Sequence, residues 1–124
     1  MSTIIVTDIK ATGETNSRAV SGVAAAWVDF NGSTNAIQGS SNIASLTDQG
    51  TGQYQFAFSN GMSTQYFAIS TNTGNRDSSN AGVDRSTQGG TSSSSNFHFE
   101  TCIISTTSNF DAVAGYASID GDLA

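Results

Sequence analysis

The sequence predicts an all-β protein: an antiparallel β-sandwich of about seven or eight short strands. Polar and apolar side chains alternate along several short segments, and turns rich in Gly and Asn separate those segments. The 124 residues suit one domain and contain no proline. A polar stretch near residues 70–96 has Val83 as its only sizeable apolar side chain, so we expect a long loop there.

The amino-terminal third predicts two strands. The stretch IIVTDIK at residues 4–10 is rich in β-branched side chains, which favour a strand. Residues 19–32 contain enough alanine for a helix, but Ala26, Val28 and Phe30 follow a period of two and an Asn-Gly turn pair follows them. This spacing predicts a second strand.

The stretch DQGTGQYQFAF at residues 48–58 predicts a turn followed by a strand. Tyr54, Phe56 and Phe58 fall on one face of that strand, which we expect to point into the core. An Asn-Gly pair at residues 60–61 lies between two aromatic-rich runs and predicts a hairpin turn.

The same alternation of apolar and polar residues predicts the remaining strands. Residues 35–48 contain two short apolar segments around Ile37 and Ile43. Residues 96–105 alternate as one strand, and a last strand lies around Tyr116. One face of the 96–105 strand is expected to carry Phe97, Phe99, Thr101 and Ile103.

Composition and charge exclude several classes of partner. Ten carboxylates against four Lys and Arg give a formal net charge of −6, and no basic run is present. Binding of nucleic acid is therefore not expected, nor is attachment to an anionic membrane. No apolar segment has transmembrane length and no signal-peptide pattern is present, so we expect no membrane insertion.

The apolar content suggests self-association. Large apolar and aromatic residues number 30, against 35 Ser and Thr. So thin a core favours burial of further apolar surface between copies of the chain. Cys102 is the single cysteine, and we interpret it as a small buried hydrophobic residue.

No catalytic constellation is found in the sequence. His98 is the only histidine, and no spacing identifies a nucleophile or an orienting acid for it. Asp120 and Asp122 could form a carboxylate pair, but solvated charge near the chain end is the simpler interpretation. We therefore expect no catalytic residues and no enzyme activity.

No cofactor or metal site is predicted. The glycines of Gly50-Thr51-Gly52 lack the third glycine and the following helix of a dinucleotide fingerprint. Residues 77–88 resemble a calcium loop but lack its acidic ligands. A weak calcium site that uses Asp77 and Asp84 stays open.

The aromatic residues have two interpretations, a core or a platform on which sugars stack. Most aromatic residues at strand spacing are core, so we favour the first interpretation. The residues concerned are Trp27, Phe30, Tyr54, Phe56, Phe58, Tyr66 and Phe67.

The stretch from residue 26 to residue 66 resembles a recurrent module of bacteriophage virion proteins, found in tail fibres and other appendages, particularly of phages that infect aquatic bacteria. AWVDFNG at residues 26–32 is followed by IASLTDQGTGQYQFAF at residues 43–58, then by Met62 and Tyr66. FHFETC and YASID give weaker similarity near the carboxyl terminus. Phe67 and the polar stretch at residues 70–96 depart from the pattern. The matching signature residues are Trp27, Phe30, Gly32, Asp48, Gly50, Gly52, Tyr54, Phe56, Phe58 and Tyr66.

The resemblance implies a structural virion protein, assembled in the host cytoplasm: a small tail fibre or appendage subunit that helps host attachment. It implies a homotrimer that binds other virion proteins of the tail or capsid and, potentially, a host surface glycan. Residues 1–23 would form an amino-terminal strand and docking segment, with residues 24–124 as the sandwich domain. Docking would use Ile4, Ile5, Val6 and Ile9.

Two alternatives stay open at this point. One is a capsid decoration, cement or head-fibre protein, which is also part of the virion but lies on the head. The other is a free carbohydrate-binding module, which would use the aromatic residues as a platform on which sugars stack.

Overall fold

A computed structural model of the chain describes residues 8–9, 18–19, 24–74, 85–103 and 107–124. All regular structure in these residues is β-strand, and antiparallel pairing builds two sheets from eight strands. The all-β class and the β-sandwich are therefore confirmed.

Eight strands form the sandwich, and three two-residue strands accompany them. The strands are β1 (Asp8–Ile9), β2 (Arg18–Ala19), β3 (Ala24–Asn31), β4 (Ala36–Ser41), β5 (Ile43–Gly50), β6 (Gln53–Phe58), β7 (Ala68–Gly74), β8 (Arg85–Ser93), β9 (Asn96–Ile103), β10 (Ser108–Asn109) and β11 (Ala114–Asp120).

The first sheet has the order β4-β3-β11-β7, so the first and last strands of the sandwich are neighbours at its centre. The second sheet has the order β5-β6-β9-β8, and β10 pairs with β9 beyond the end of β6. The short strands β1 and β2 pair only with each other among the described strands. The sandwich strands begin at Ala24.

The core lies between the two sheets and is mainly aromatic. Phe30 of the first sheet is fully buried, and its ring lies edge-on to three rings of the second sheet at centroid distances of 4.9 to 5.0 Å. Those three rings belong to Tyr54, Phe56 and Phe99. Edge-to-face contacts of this kind add about 0.5–1.5 kcal/mol each to the free energy of burial.

The alternation of inward and outward side chains along strands β3, β6 and β9 determines which residues form this core. Ala26, Val28, Tyr54, Phe56, Phe58, Phe97, Phe99 and Thr101 are all buried, as their spacing predicts. Ile103, at the end of β9, is half-buried. Successive residues of a strand point to opposite faces, so Trp27 points outward from the first sheet.

The predicted long loop near residues 70–96 is wrong for its described part. Strand β7 ends at Gly74 and pairs with β11, while β8 covers Arg85–Ser93 and pairs with β9. Both strands are at sheet edges, where main-chain hydrogen bonds to one neighbour hold them in place. Ile69 is the one large apolar side chain in the sequence of these two strands, and it packs against the core. Residues 75–84, which include Asp77 and Asp84, lie outside the described residues.

The predicted hairpin turn at Asn60-Gly61 is also wrong. Strand β6 belongs to the second sheet and β7 to the first, so residues 59–67 cross between sheets. Asn42, which joins β4 to β5 with a positive φ of 57°, holds this crossing. Its side chain accepts a hydrogen bond from the main-chain nitrogen of Asn60 at 2.7 Å and donates to the carbonyl of Ala25 at 3.2 Å.

Candidate functional site

Three segments meet at one end of the sandwich and are joined by main-chain hydrogen bonds. The turn after β3 donates from the nitrogen of Gly32 to the carbonyl of Ala112 at 2.8 Å. The turn between β5 and β6 accepts a bond from the nitrogen of Thr101 at the carbonyl of Gly52, at 2.9 Å. Residues 110–112 thus lie across the ends of both sheets.

The carboxylate of Asp111 is the polar centre of this junction. Its Oδ1 atom accepts hydrogen bonds from the nitrogen of Gly52 at 2.7 Å and from the hydroxyl of Tyr54 at 3.0 Å. The hydroxyl of Thr101 donates to the carbonyl of Phe110. We call Gly32, Gly52, Tyr54, Thr101 and Asp111 the polar corner.

Two glycines are required by the close packing of the polar corner. A Cβ atom on Gly32 would lie 2.2 Å from the Tyr54 hydroxyl and 2.9 Å from the carbonyl oxygen of Ala112. Gly52 has a φ of 68°, and a Cβ there would lie 2.7 Å from the carbonyl oxygen of Phe110. Any larger residue at either position would therefore force the main chain apart.

Tyr54 is held in its neutral form. Burial raises the pKa of the phenol well above its ordinary value of 10.0, and the hydrogen bond and negative charge of Asp111 raise it further. The hydroxyl is therefore protonated near neutral pH and donates its hydrogen bond to Asp111.

Asp48 secures the same end of the sandwich from outside. Its Oδ1 atom accepts from the nitrogen of Gly50 at 2.8 Å, and its Oδ2 atom accepts from the side chain of Asn35 at 2.7 Å. Gly50 and Asn35 both have positive φ, of 136° and 52°. One exposed carboxylate thus ties the β3–β4 turn to the β5–β6 turn.

The outer face of the first sheet carries an open groove of about 610 Å³. Trp27 of β3 and Tyr116 of β11 are its aromatic residues, and they are 44% and 39% exposed. We call this feature the aromatic groove. Its polar lining comprises Asp29, Ser70, Thr71, Asn72 and Ser118.

A glycine beside each aromatic ring lets that ring lie across the sheet. A methyl group on Gly39 of β4 would lie 3.4 Å from two carbons of the Trp27 ring. A methyl group on Gly74 of β7 would lie 3.3 Å from Cε2 of Tyr116. The two rings thus extend away from each other, over opposite neighbouring strands.

The structure places most of the predicted signature residues in the core and the polar corner. Phe30, Tyr54, Phe56 and Phe58 are buried, and Phe67 packs against the core as a partly buried side chain. The core interpretation is wrong for two residues. Trp27 lines the aromatic groove, and Tyr66, in the crossing between sheets, is 84% exposed.

The residues weighed for catalysis do not form one site. His98 is exposed on β9, and Asp120 is exposed on β11 of the other sheet. Glu100 accepts hydrogen bonds from Gln53 and Asn109 at 3.3 and 2.8 Å. Cys102 is a half-buried free thiol rather than a fully buried one.

Metal ligands do not cluster in the described part of the chain, where no three His, Cys, Asp or Glu residues come together. In the same residues, no helix is long and apolar enough to cross a membrane. Of the proposed docking residues, Ile9 lies in β1, whereas Ile4, Ile5 and Val6 lie outside the described residues.

Sequence reasoning missed the partners of the signature residues. Asp111 is far along the chain from Gly52 and Tyr54, so no local spacing identifies it. Gly115 lies opposite Phe30, and a Cβ atom there would lie 2.3 Å from the ring. The outward direction of Tyr116 could have been predicted from the sequence. Adjacent residues of a strand point to opposite faces, so when Ala117 is buried Tyr116 points outward.

Comparison of the chain with protein-family models, with curated proteins and with solved structures finds no significant match.

Proposed function

We propose that this chain is a structural subunit of a bacteriophage virion, a small tail fibre or appendage protein that contributes to host attachment. The observation that carries the proposal is the signature from Ala26 to Tyr66, which resembles a module of phage appendages. A subunit of this kind needs a rigid fold, and it needs outward surfaces that bind partners.

The contacts of the signature residues agree with such a role. Gly32, Asp48, Gly50, Gly52 and Tyr54 all lie at one end of the sandwich and are joined there by short hydrogen bonds. A signature whose residues fix turns and fill a core supports a mechanical function. Chemistry on a substrate would instead require a converging set of titratable groups.

We propose that the subunit forms a homotrimer. It would assemble in the host cytoplasm and become part of the virion. The amino-terminal segment with Ile4, Ile5, Val6 and Ile9 would dock onto a tail or capsid protein, and an added strand would supply main-chain hydrogen bonds. Three copies that each make a weak contact with the host would bind more tightly through avidity.

The test is immunogold electron microscopy of purified phage particles with an antibody against this chain. The proposal predicts label on the tail or baseplate. Label at regular positions over the head would instead identify a capsid decoration protein. Particles without label would overturn the assignment to the virion.

The oligomeric state is tested separately by size-exclusion chromatography with light scattering. The proposal predicts a mass three times that of the 12.7 kDa chain. A monomer at micromolar concentration would contradict the trimer.

A further inference from the structure

The aromatic groove differs in composition from the outer face of the second sheet. On that second face, described outward side chains include Gln53, Gln55, His98 and Glu100, which pair with one another or lie in solvent. The aromatic groove instead leaves two large rings about 40% exposed at the centre of a sheet. Large aromatic side chains left exposed on one face of a sheet, as Trp27 and Tyr116 are, commonly mark a binding surface.

The aromatic groove is open to solvent, with a volume of about 610 Å³. It therefore suits a ligand that lies along the face of the sheet rather than one that a pocket encloses. Trp27 stands on one central strand and Tyr116 on the next, with polar groups between and beside them. The ring faces supply area at low cost in conformational entropy, because each side chain has only two rotatable torsions.

The polar lining selects among ligands. Ser70, Asn72 and Ser118 bring two hydroxyls and an amide, which can both donate and accept hydrogen bonds. Asp29 adds a carboxylate, and among the described residues the lining contains no Lys or Arg. With a net charge of −6 on the chain, anionic ligands such as phosphates and uronic acids are disfavoured.

We propose that the aromatic groove binds a neutral glycan, with the apolar face of a pyranose ring against Trp27 and its hydroxyls bonded to the polar lining. A neutral sugar matches both parts of this surface, since it offers a flat patch of C–H groups and a rim of hydroxyls. The site rests on the groove alone, whereas its use in host attachment rests on the proposed function.

A second copy of the chain fits the aromatic groove less well. A symmetric interface centred here would bring the Asp29 carboxylates of several copies towards one axis and remove them from water. Burial of like charges is costly unless each is paired. Sugar hydroxyls, in contrast, donate hydrogen bonds to a carboxylate.

Trp27 is the only tryptophan of the chain, so its fluorescence reports directly on the aromatic groove. The full chain is screened on an array of neutral and acidic oligosaccharides, and the best neutral ligand is then titrated while tryptophan emission is recorded. We expect saturable binding to neutral oligosaccharides, with a change in Trp27 emission.

Three variants locate the site, with binding measured by calorimetry. Trp27→Ala and Asn72→Ala remove one aromatic and one polar group of the aromatic groove, and Tyr66→Ala removes an exposed aromatic residue elsewhere. We expect at least about tenfold weaker binding for Trp27→Ala, a smaller loss for Asn72→Ala, and unchanged binding for Tyr66→Ala.

Three results would overturn the proposal. The first is that no neutral oligosaccharide binds the wild-type chain. The second is that Tyr66→Ala weakens binding as much as Trp27→Ala does. The third is that Trp27→Ala lowers the oligomeric mass without any effect on glycan binding, which would make the groove a subunit interface. None of these results bears on whether immunogold label is found on the particle.

Discussion

Two residues only three positions apart in strand β3 belong to regions of opposite character. Phe30 is fully buried, in edge-on contact with three rings of the facing sheet, whereas Trp27 is 44% exposed on the outer face. The polar corner lies directly beyond Phe30, and the aromatic groove lies around Trp27.

The two regions should differ in how well they tolerate amino-acid substitutions. In the polar corner, a Cβ atom on Gly32 or Gly52 would lie 2.2 to 2.9 Å from main-chain and side-chain atoms. The aromatic groove is open to solvent, and its rings lie on the sheet without filling a cavity. The first region should therefore govern stability, and the second should govern binding.

The largest expected effect is that of Gly32→Ala. The added methyl would lie 2.2 Å from the Tyr54 hydroxyl and 2.9 Å from a main-chain carbonyl oxygen, so the corner must open. We expect a loss of about 3 kcal/mol or more in the free energy of unfolding, measured by urea denaturation. Gly90→Ala is the control, because the nearest atom to its methyl would be 3.9 Å away. Equal midpoints for the two variants would refute the tight packing of the corner.

The next effect is that of Asp111→Ala. This change leaves the nitrogen of Gly52 and the hydroxyl of Tyr54 without their shared acceptor. We expect a loss of about 2–3 kcal/mol in thermal or urea denaturation, as for other hydrogen bonds to a charged group. Asp111→Asn keeps one oxygen as an acceptor and should lose about half as much. If both variants unfold like the wild type, Asp111 does not hold the corner together.

A pH-dependent effect is expected at Tyr54. Because the folded state raises the pKa of this phenol above 10.0, folding favours the protonated form, and the contribution is complete below pH 10. Above pH 10 the stability should fall, by up to about 1.4 kcal/mol per pH unit for this one proton. Urea denaturation from pH 8 to pH 11 should show this fall in the wild type.

Tyr54→Phe is the matched control for the pH experiment. It should lose about 1 kcal/mol at pH 8, from the missing bond to Asp111, and should show a shallower fall above pH 10. Identical slopes for the two proteins would show that Tyr54 is not the group that titrates.

A smaller effect on stability than that of Gly32→Ala or Asp111→Ala is expected for Trp27→Ala. The indole is about half exposed and lies outside the buried core cluster, so its removal should cost about 1–2 kcal/mol. The thermal midpoint of Trp27→Ala should therefore fall less than that of Asp111→Ala. A fall as large as that of Gly32→Ala would place Trp27 among the residues that hold the sandwich together.

Much of the fold followed from alternation along the chain. The inward-facing residues of β3, β6 and β9 include large apolar side chains. The turn glycines at residues 50 and 52 come before a strand with clear alternation. Strands β7 and β8 escaped prediction because Ser, Thr, Asn and Gly dominate them. Main-chain hydrogen bonds to β11 and β9 hold these two edge strands, and such pairing leaves no hydrophobic pattern in the sequence.

The candidate sites were only partly predictable for a similar reason. Gly52 and Tyr54 of the polar corner lie within the stretch DQGTGQYQFAF, but their partner Asp111 lies 57 residues after Tyr54. Period-two spacing assigns Trp27 to the face opposite Phe30, yet spacing alone does not say which face meets the other sheet. The aromatic groove also includes Tyr116 and Asn72 from strands distant in sequence, which only the sheet order brings onto the same face as Trp27.

The division between a structural corner and a binding face is tested most directly by one set of urea denaturation curves, recorded for the wild type, Gly32→Ala and Trp27→Ala. We predict that the midpoint of Gly32→Ala lies far below that of the wild type, and that the midpoint of Trp27→Ala lies clearly closer to the wild type than to Gly32→Ala. Equal losses in the two variants would contradict this division, because Trp27 would then be part of the same packed unit as the corner.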